Sequence, residues 1–128
     1  MAAAVLHKDG TFLGTQRGYG EFEGGLEFPG GKIEEGESPQ AALLLELKEE
    51  LGIDAIVEQF LMTVECNYPQ FHLMMHCYLC SIAEGKIQLK EHKSARWMNR
   101  EQFDDVEWLP ADLDVVKRIR EMDIDGLA

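Results

Sequence analysis

Glu46, Glu49 and Glu50 lie three and four residues apart in a segment where Leu43, Leu44, Leu47 and Leu51 recur at helical spacing. At about 100° per residue, Glu49 falls about 60° to one side of Glu46 and Glu50 about 40° to the other, so the three carboxylates share one arc. The leucines occupy a neighbouring arc that can face a core. Like charges at these spacings cost a helix a few tenths of a kcal/mol per pair, a cost that a bound hard cation reverses. Carboxylates on a rigid helix suit Mg2+, with Mn2+ as the alternative. Positioned cations of this kind serve reactions in which water attacks phosphorus and negative charge moves to a leaving phosphate.

Such a helix needs firm ends and a sheet to lie on. Ser38 is a good N-cap, Pro39 a good first helical residue, and Gly52 closes the helix after Leu51. Ahead of it, Ala2 to His7 and Thr11 to Gln16 read as strands joined by Lys8-Asp9-Gly10, a tight hairpin turn. A glycine-rich loop from Tyr19 to Gly25 leads into Leu26-Glu27-Phe28, and Pro29-Gly30-Gly31 is expected to turn the backbone sharply. Beyond the helix, Ala55 to Glu65 and Phe71 to Ala83 read as long strands around Asn67-Tyr68-Pro69, and Ala95 to Met98 as a shorter one. Gly85 to Lys90 fits either a strand or a loop. Pro110 to Glu121 reads as a closing helix with Val115, Val116 and Ile119 on its apolar stripe. Strands, helix, strands, helix is the order of an α+β or sandwich arrangement with helices on a mixed sheet.

At 128 residues and 45% hydrophobic, the chain suits one domain with a real core. No apolar run approaches a membrane span, and the first residues lack the charge and length of a signal peptide, so a cytoplasmic protein is expected. Cys66, Cys77 and Cys80 cannot all pair within the chain. Cys77 and Cys80 form C-x-x-C, but the odd offset within a strand sends them to opposite faces, which favours a structural reading over redox or zinc chemistry. A net charge of −12 argues against gripping a nucleic-acid polymer, whose phosphates call for Lys and Arg. It does not argue against a nucleotide arriving with its own cation. His72 and His76, without a third matched ligand, are expected to be core or pocket lining, and Trp97, Trp108, Met74, Met75 and Met98 to be core.

Gly31, Glu37, Glu46, Leu47, Glu49, Glu50, Gly52 and Ile53 fall on eight of the nine fixed positions of the Nudix box: Gly, five residues, Glu, seven residues, then Arg-Glu-apolar-any-Glu-Glu-any-Gly-apolar. Leu45 replaces the arginine. The chain thus resembles the Nudix hydrolases. Leu26 to Glu34, Glu91-His92, Arg96-Trp97 and Trp108-Leu109-Pro110-Ala111-Asp112 are similar to the MutT-like branch, nucleoside triphosphate pyrophosphohydrolases.

The resemblance implies a single Nudix domain over residues 1–128, α+β in class, an α/β/α sandwich with a mixed central sheet. It implies metal-dependent hydrolysis of (deoxy)nucleoside triphosphates to monophosphate and pyrophosphate by a monomer or homodimer, with 8-oxo-dGTP or a cytidine nucleotide as substrate. Glu46, Glu49 and Glu50 become metal ligands and catalytic residues, with Glu46 also the base or water-orienting group. The Gly30 carbonyl completes the metal shell, and Glu91 adds an acid from a late loop. Glu37 is expected to support the loop rather than ligate. Arg17 and Lys32 are expected to contact phosphate, and Glu27, Phe28 and Pro29 to line the approach. Asp112 stands where MutT itself has a base-reading asparagine; it either accepts from an exocyclic amine or helps start the last helix. An apolar residue in place of the box arginine leaves the carboxylates less neutralised. Two rival readings follow: a nucleotide-binding module with weak turnover, and a hydrolase of another nucleoside-diphosphate conjugate.

Overall fold

The structure, a computed structural model, describes residues 1–18, 24–69, 71–89 and 92–122, with backbone only at His92 and Lys93. β1 (Ala2–Lys8) and β2 (Thr11–Arg17) form the expected hairpin. Asp9 and Gly10, at φ 52° and 77°, both take the left-handed conformation that a two-residue turn of matching twist requires. Ala2 to Leu6 are all buried, as a mid-sheet strand must be. β1 runs parallel to β6 (His72–Glu84) on one edge; on the other it pairs antiparallel first with β4 (Gly30–Gly31), then with β2.

β5 (Asp54–Asn67) borders β6, while β3 (Leu26–Glu27) and β7 (His92–Met98) pair with β2, so the path β3-β2-β1-β6-β5 is a mixed sheet. α1 (Pro39–Leu51) covers one face through Leu43, Leu47 and Leu51, packed with Ala4, Leu6 and Cys80. α2 (Pro110–Glu121) covers the other through Val115, Val116 and Ile119, packed with Val5, Cys77 and Leu79. This is the expected α/β/α sandwich. Cys77 and Cys80 do point to opposite faces, and burial pushes each thiol up to about 12, well away from a reactive thiolate.

Several expectations are corrected. The backbone bends at Pro29, but Gly30 and Gly31 do not continue the turn; they extend as β4 and pair with Ala3 and Ala2. Of the two alternatives for Gly85 to Lys90, residues 85–89 take the loop. There Gln88 N–H donates to Leu51 O at 2.8 Å, so the segment's backbone closes the end of α1 instead of joining the sheet. Met74 is 43% exposed rather than core, because its side of β6, opposite Glu65, runs beyond the cover of α1. No described helix is long and apolar enough to cross a membrane.

Candidate active site

α1 is bounded as its sequence predicts: Ala41 N–H donates to Ser38 Oγ at 3.1 Å, and Gly52, at φ 71°, donates to Lys48 O at 3.1 Å. With Leu43, Leu47 and Leu51 buried, Glu46 and Glu50 are half-buried and Glu49 exposed on the same side. The Glu46 carboxylate rests on Gly31: a Cβ there would come within 2.5–2.7 Å of its Cδ, Cγ and Oε2. At Gly30 a Cβ would strike the Ala2 carbonyl of the neighbouring strand. Both glycines are therefore required by close approach rather than by backbone conformation. Glu37 holds the loop before α1, its Oε1 accepting from Glu34 N–H at 3.0 Å.

A cavity of about 170 Å³ opens beside β4, and Arg17, Glu27, Phe28, Gly30 and Asp112 all line it. β2 and β3 bring Arg17 and Glu27 together, Nη2 to Oε2 at 2.8 Å and Nε to Oε2 at 3.0 Å. Leu26 N–H donates to Glu107 O and Leu109 N–H to Leu26 O, each at 2.8 Å, which docks the start of α2 against β3. That docking carries Asp112 to Phe28, whose N–H donates to Asp112 Oδ1 at 3.0 Å. The Phe28 ring stacks on Trp108 with centroids 4.7 Å apart. Gly30 faces the cavity and Gly31 faces Glu46, so two adjacent residues join the pocket to the carboxylate helix.

Residues 1–119 match the family model of the NUDIX domain. The chain belongs to the Nudix family. It is 32% identical over 118 residues to a CTP pyrophosphohydrolase of Escherichia coli, covering 91% of this chain and 87% of that protein. It is 38% identical over 95 residues to an 8-oxo-dGTP diphosphatase of Proteus vulgaris, covering 73% and 83%. The solution structure of the E. coli ORF135 protein superposes with a TM-score of 0.78 at 30% identity, covering 93% of this chain and 86% of that one. The protein is a MutT-like Nudix hydrolase, an enzyme acting on acid anhydrides.

Within this Nudix hydrolase the remaining site residues divide. Pro29 is buried, its carbonyl accepting from Ala4 N–H at 2.8 Å, and Lys32 is exposed; neither lines the cavity. Glu91 lies outside the described residues. Among those residues no three His, Cys, Asp or Glu side chains form a ready-made metal cluster. The donor set on α1 nevertheless fits a hard cation: carboxylates on one helical side, Glu46 in a seat free of any Cβ, and no described Lys or Arg in an ion pair with Glu46 or Glu49. Leu45 is 50% exposed, so the box position offers no cation to this group. His72, exposed, and His76, half-buried, are neither core nor cavity lining, contrary to expectation; they take separate partners, Asn67 and Thr63.

Asp112 lies in the first turn of α2, as the Pro-Ala-Asp start predicts, but does not cap it; Leu109 holds the cap position and no side chain caps α2. Asp112 is 4% exposed. Burial raises its pKa to about 7, with the Glu27 charge adding to the rise while the Phe28 N–H and Arg17 oppose it. An aspartate that only accepts, as read from sequence, is thus half the picture: near neutral pH the carboxyl exists in a neutral form that also donates. Sequence reasoning missed Tyr68, Phe71, Leu73 and Met75, which line the cavity from the β5–β6 hairpin. Their signal was the alternation of 71, 73 and 75 on one strand face.

Proposed function

We propose that this Nudix hydrolase cleaves (deoxy)nucleoside triphosphates to monophosphate and pyrophosphate, with a cytosine or 8-oxoguanine base in the cavity around Asp112. One observation carries the reading. Gly30 lines a largely apolar cavity holding a buried carboxyl, and its neighbour Gly31 seats Glu46, so a base in the cavity leaves its phosphates beside α1. The similarity to proteins named for CTP and for 8-oxo-dGTP supports the same two bases.

Glu46, Glu49, Glu50 and the Gly30 carbonyl would hold Mg2+ or Mn2+, with Glu91 as a further acid. The cation, when bound, neutralises the charge that develops on the phosphate oxygens. Glu46 orients the attacking water and takes its proton on the carboxylate. Arg17, steadied by Glu27, and Lys32 from the exposed side contact the phosphates.

A panel of nucleoside triphosphates, diphosphate sugars and dinucleotides with Mg2+, scored for pyrophosphate against phosphate release, tests the proposal. Pyrophosphate from CTP, dCTP or 8-oxo-dGTP is the expected product. Products from a diphosphate conjugate alone, or binding of triphosphates without turnover, would replace it with one of the rival readings.

The exposed Leu45 supplies a second test. Leu45→Arg restores a cation four residues before Glu49, next to Glu46, without touching the core. Activity at limiting Mg2+ should rise several-fold, up to about tenfold. An unchanged metal titration curve would show that another contact already does the work of the missing arginine.

A further inference from the structure

We infer that the stacked Tyr68–Phe71 pair at the tip of the β5–β6 hairpin is the platform on which the heteroaromatic base lies, with Phe71 setting the preference for base-bearing over base-free triphosphates. The inference rests on the nucleotide reading above and deepens it.

The two rings stack with centroids 4.9 Å apart and planes 22° from parallel. Reciprocal backbone hydrogen bonds hold them in register, Tyr68 N–H to Phe71 O at 2.9 Å and Phe71 N–H to Tyr68 O at 3.4 Å. Tyr68 also faces α2: it lines the cavity together with Ala111 and Asp112 of the first turn. The hairpin tip and the buried carboxyl therefore meet across one cavity. Both rings line the cavity, with Leu73 and Met75 continuing its apolar wall along β6.

A cross-strand aromatic pair also stabilises a hairpin. That task alone would favour burying Phe71, yet half of its surface is exposed and the residue lines the cavity. An apolar site with an exposed aromatic face and a single buried carboxyl suits a planar ring: faces that stack, and an edge that hydrogen-bonds. Because every base has a π-face, the platform selects the ring as a class and leaves discrimination between bases to Asp112.

The test compares CTP with ribose 5-triphosphate, which has the same phosphates and sugar but no base, on wild type, Phe71→Leu and Phe71→Trp. Calorimetric binding accompanies kcat and KM, and thermal unfolding confirms that each variant folds. Phe71→Leu should raise KM and Kd for CTP by roughly tenfold, keep kcat within about twofold and leave ribose 5-triphosphate unaffected, and Phe71→Trp should recover CTP affinity. Equal changes on both ligands, no change on either, or wild-type binding that ignores the base would overturn the platform. Tight CTP binding by wild type without hydrolysis would instead defeat the hydrolase reading, while a selective loss of CTP affinity in Phe71→Leu would still support the platform.

Discussion

Glu46→Gln is expected to lower kcat by at least ~10²-fold with the fold intact, because the change removes the charge that holds a cation and accepts a proton while keeping nearly the same volume. The seat on Gly31 sharpens the expectation. Glu46 lies against a residue without a side chain, so its carboxylate can sit directly on β4. Glu50→Gln should lose activity on a similar scale. Steady-state rates across an Mg2+ titration, with circular dichroism as the check on folding, measure both. Rates like those of wild type in both variants would remove α1 from the chemistry and leave the cavity without a neighbouring reactive centre.

Asp112→Asn should change the relative kcat/KM for 8-oxo-dGTP and CTP by at least about tenfold, the scale of one hydrogen bond to a charged group. An ionised Asp112 accepts from the cytosine amine; a neutral carboxyl, like the amide of asparagine, both donates and accepts. With the native pKa near 7, lowering the pH through that value should move the wild-type ratio towards 8-oxo-dGTP. The asparagine variant should hold the shifted ratio at every pH. Both substrates carry the same triphosphate, so its own titration cancels. The groups facing Asp112 are Glu27 and Arg17, with Tyr68 and Cys77 neutral in this range because their pKa values lie raised. Equal losses on both substrates, with no pH dependence in the ratio, would mean that Asp112 only supports the turn at Phe28.

The same carboxyl sets a stability slope. Its native pKa is raised to about 7, against about 3.9 unfolded, so the native state holds the proton more tightly. The associated stability is fully present below about pH 4 and is lost as pH rises through 7, amounting to up to about 4 kcal/mol. Asp112→Asn keeps an acceptor for the Phe28 N–H and has no proton to lose. Thermal unfolding between pH 4 and 8 should therefore slope less steeply in the variant than in wild type.

Local chemistry made much of this protein legible from its chain alone. Ser38, Pro39 and Gly52 bounded α1 because capping and φ preference act within a few residues. Asp9-Gly10 specified its turn, and the arc of Glu46, Glu49 and Glu50 followed from helical period. What needed the tertiary structure was anything decided by a distant neighbour. Gly30 and Gly31 carry no sign in sequence that one must clear the Ala2 carbonyl and the other the Glu46 side chain, so a turn was expected where β4 forms.

Leu61 and Val64, three apart, face α2 together only because the register of β5 shifts between Phe60 and Met62, a bulge that strict alternation cannot foresee. The charge state of Asp112 likewise belongs to no local pattern. It arises because residues 107–109 dock on Leu26 and bring a carboxyl, 84 positions along the chain, to the amide of Phe28 in a nearly fully buried position. Desolvation is a property of the packed interior, and no spacing along the chain encodes it.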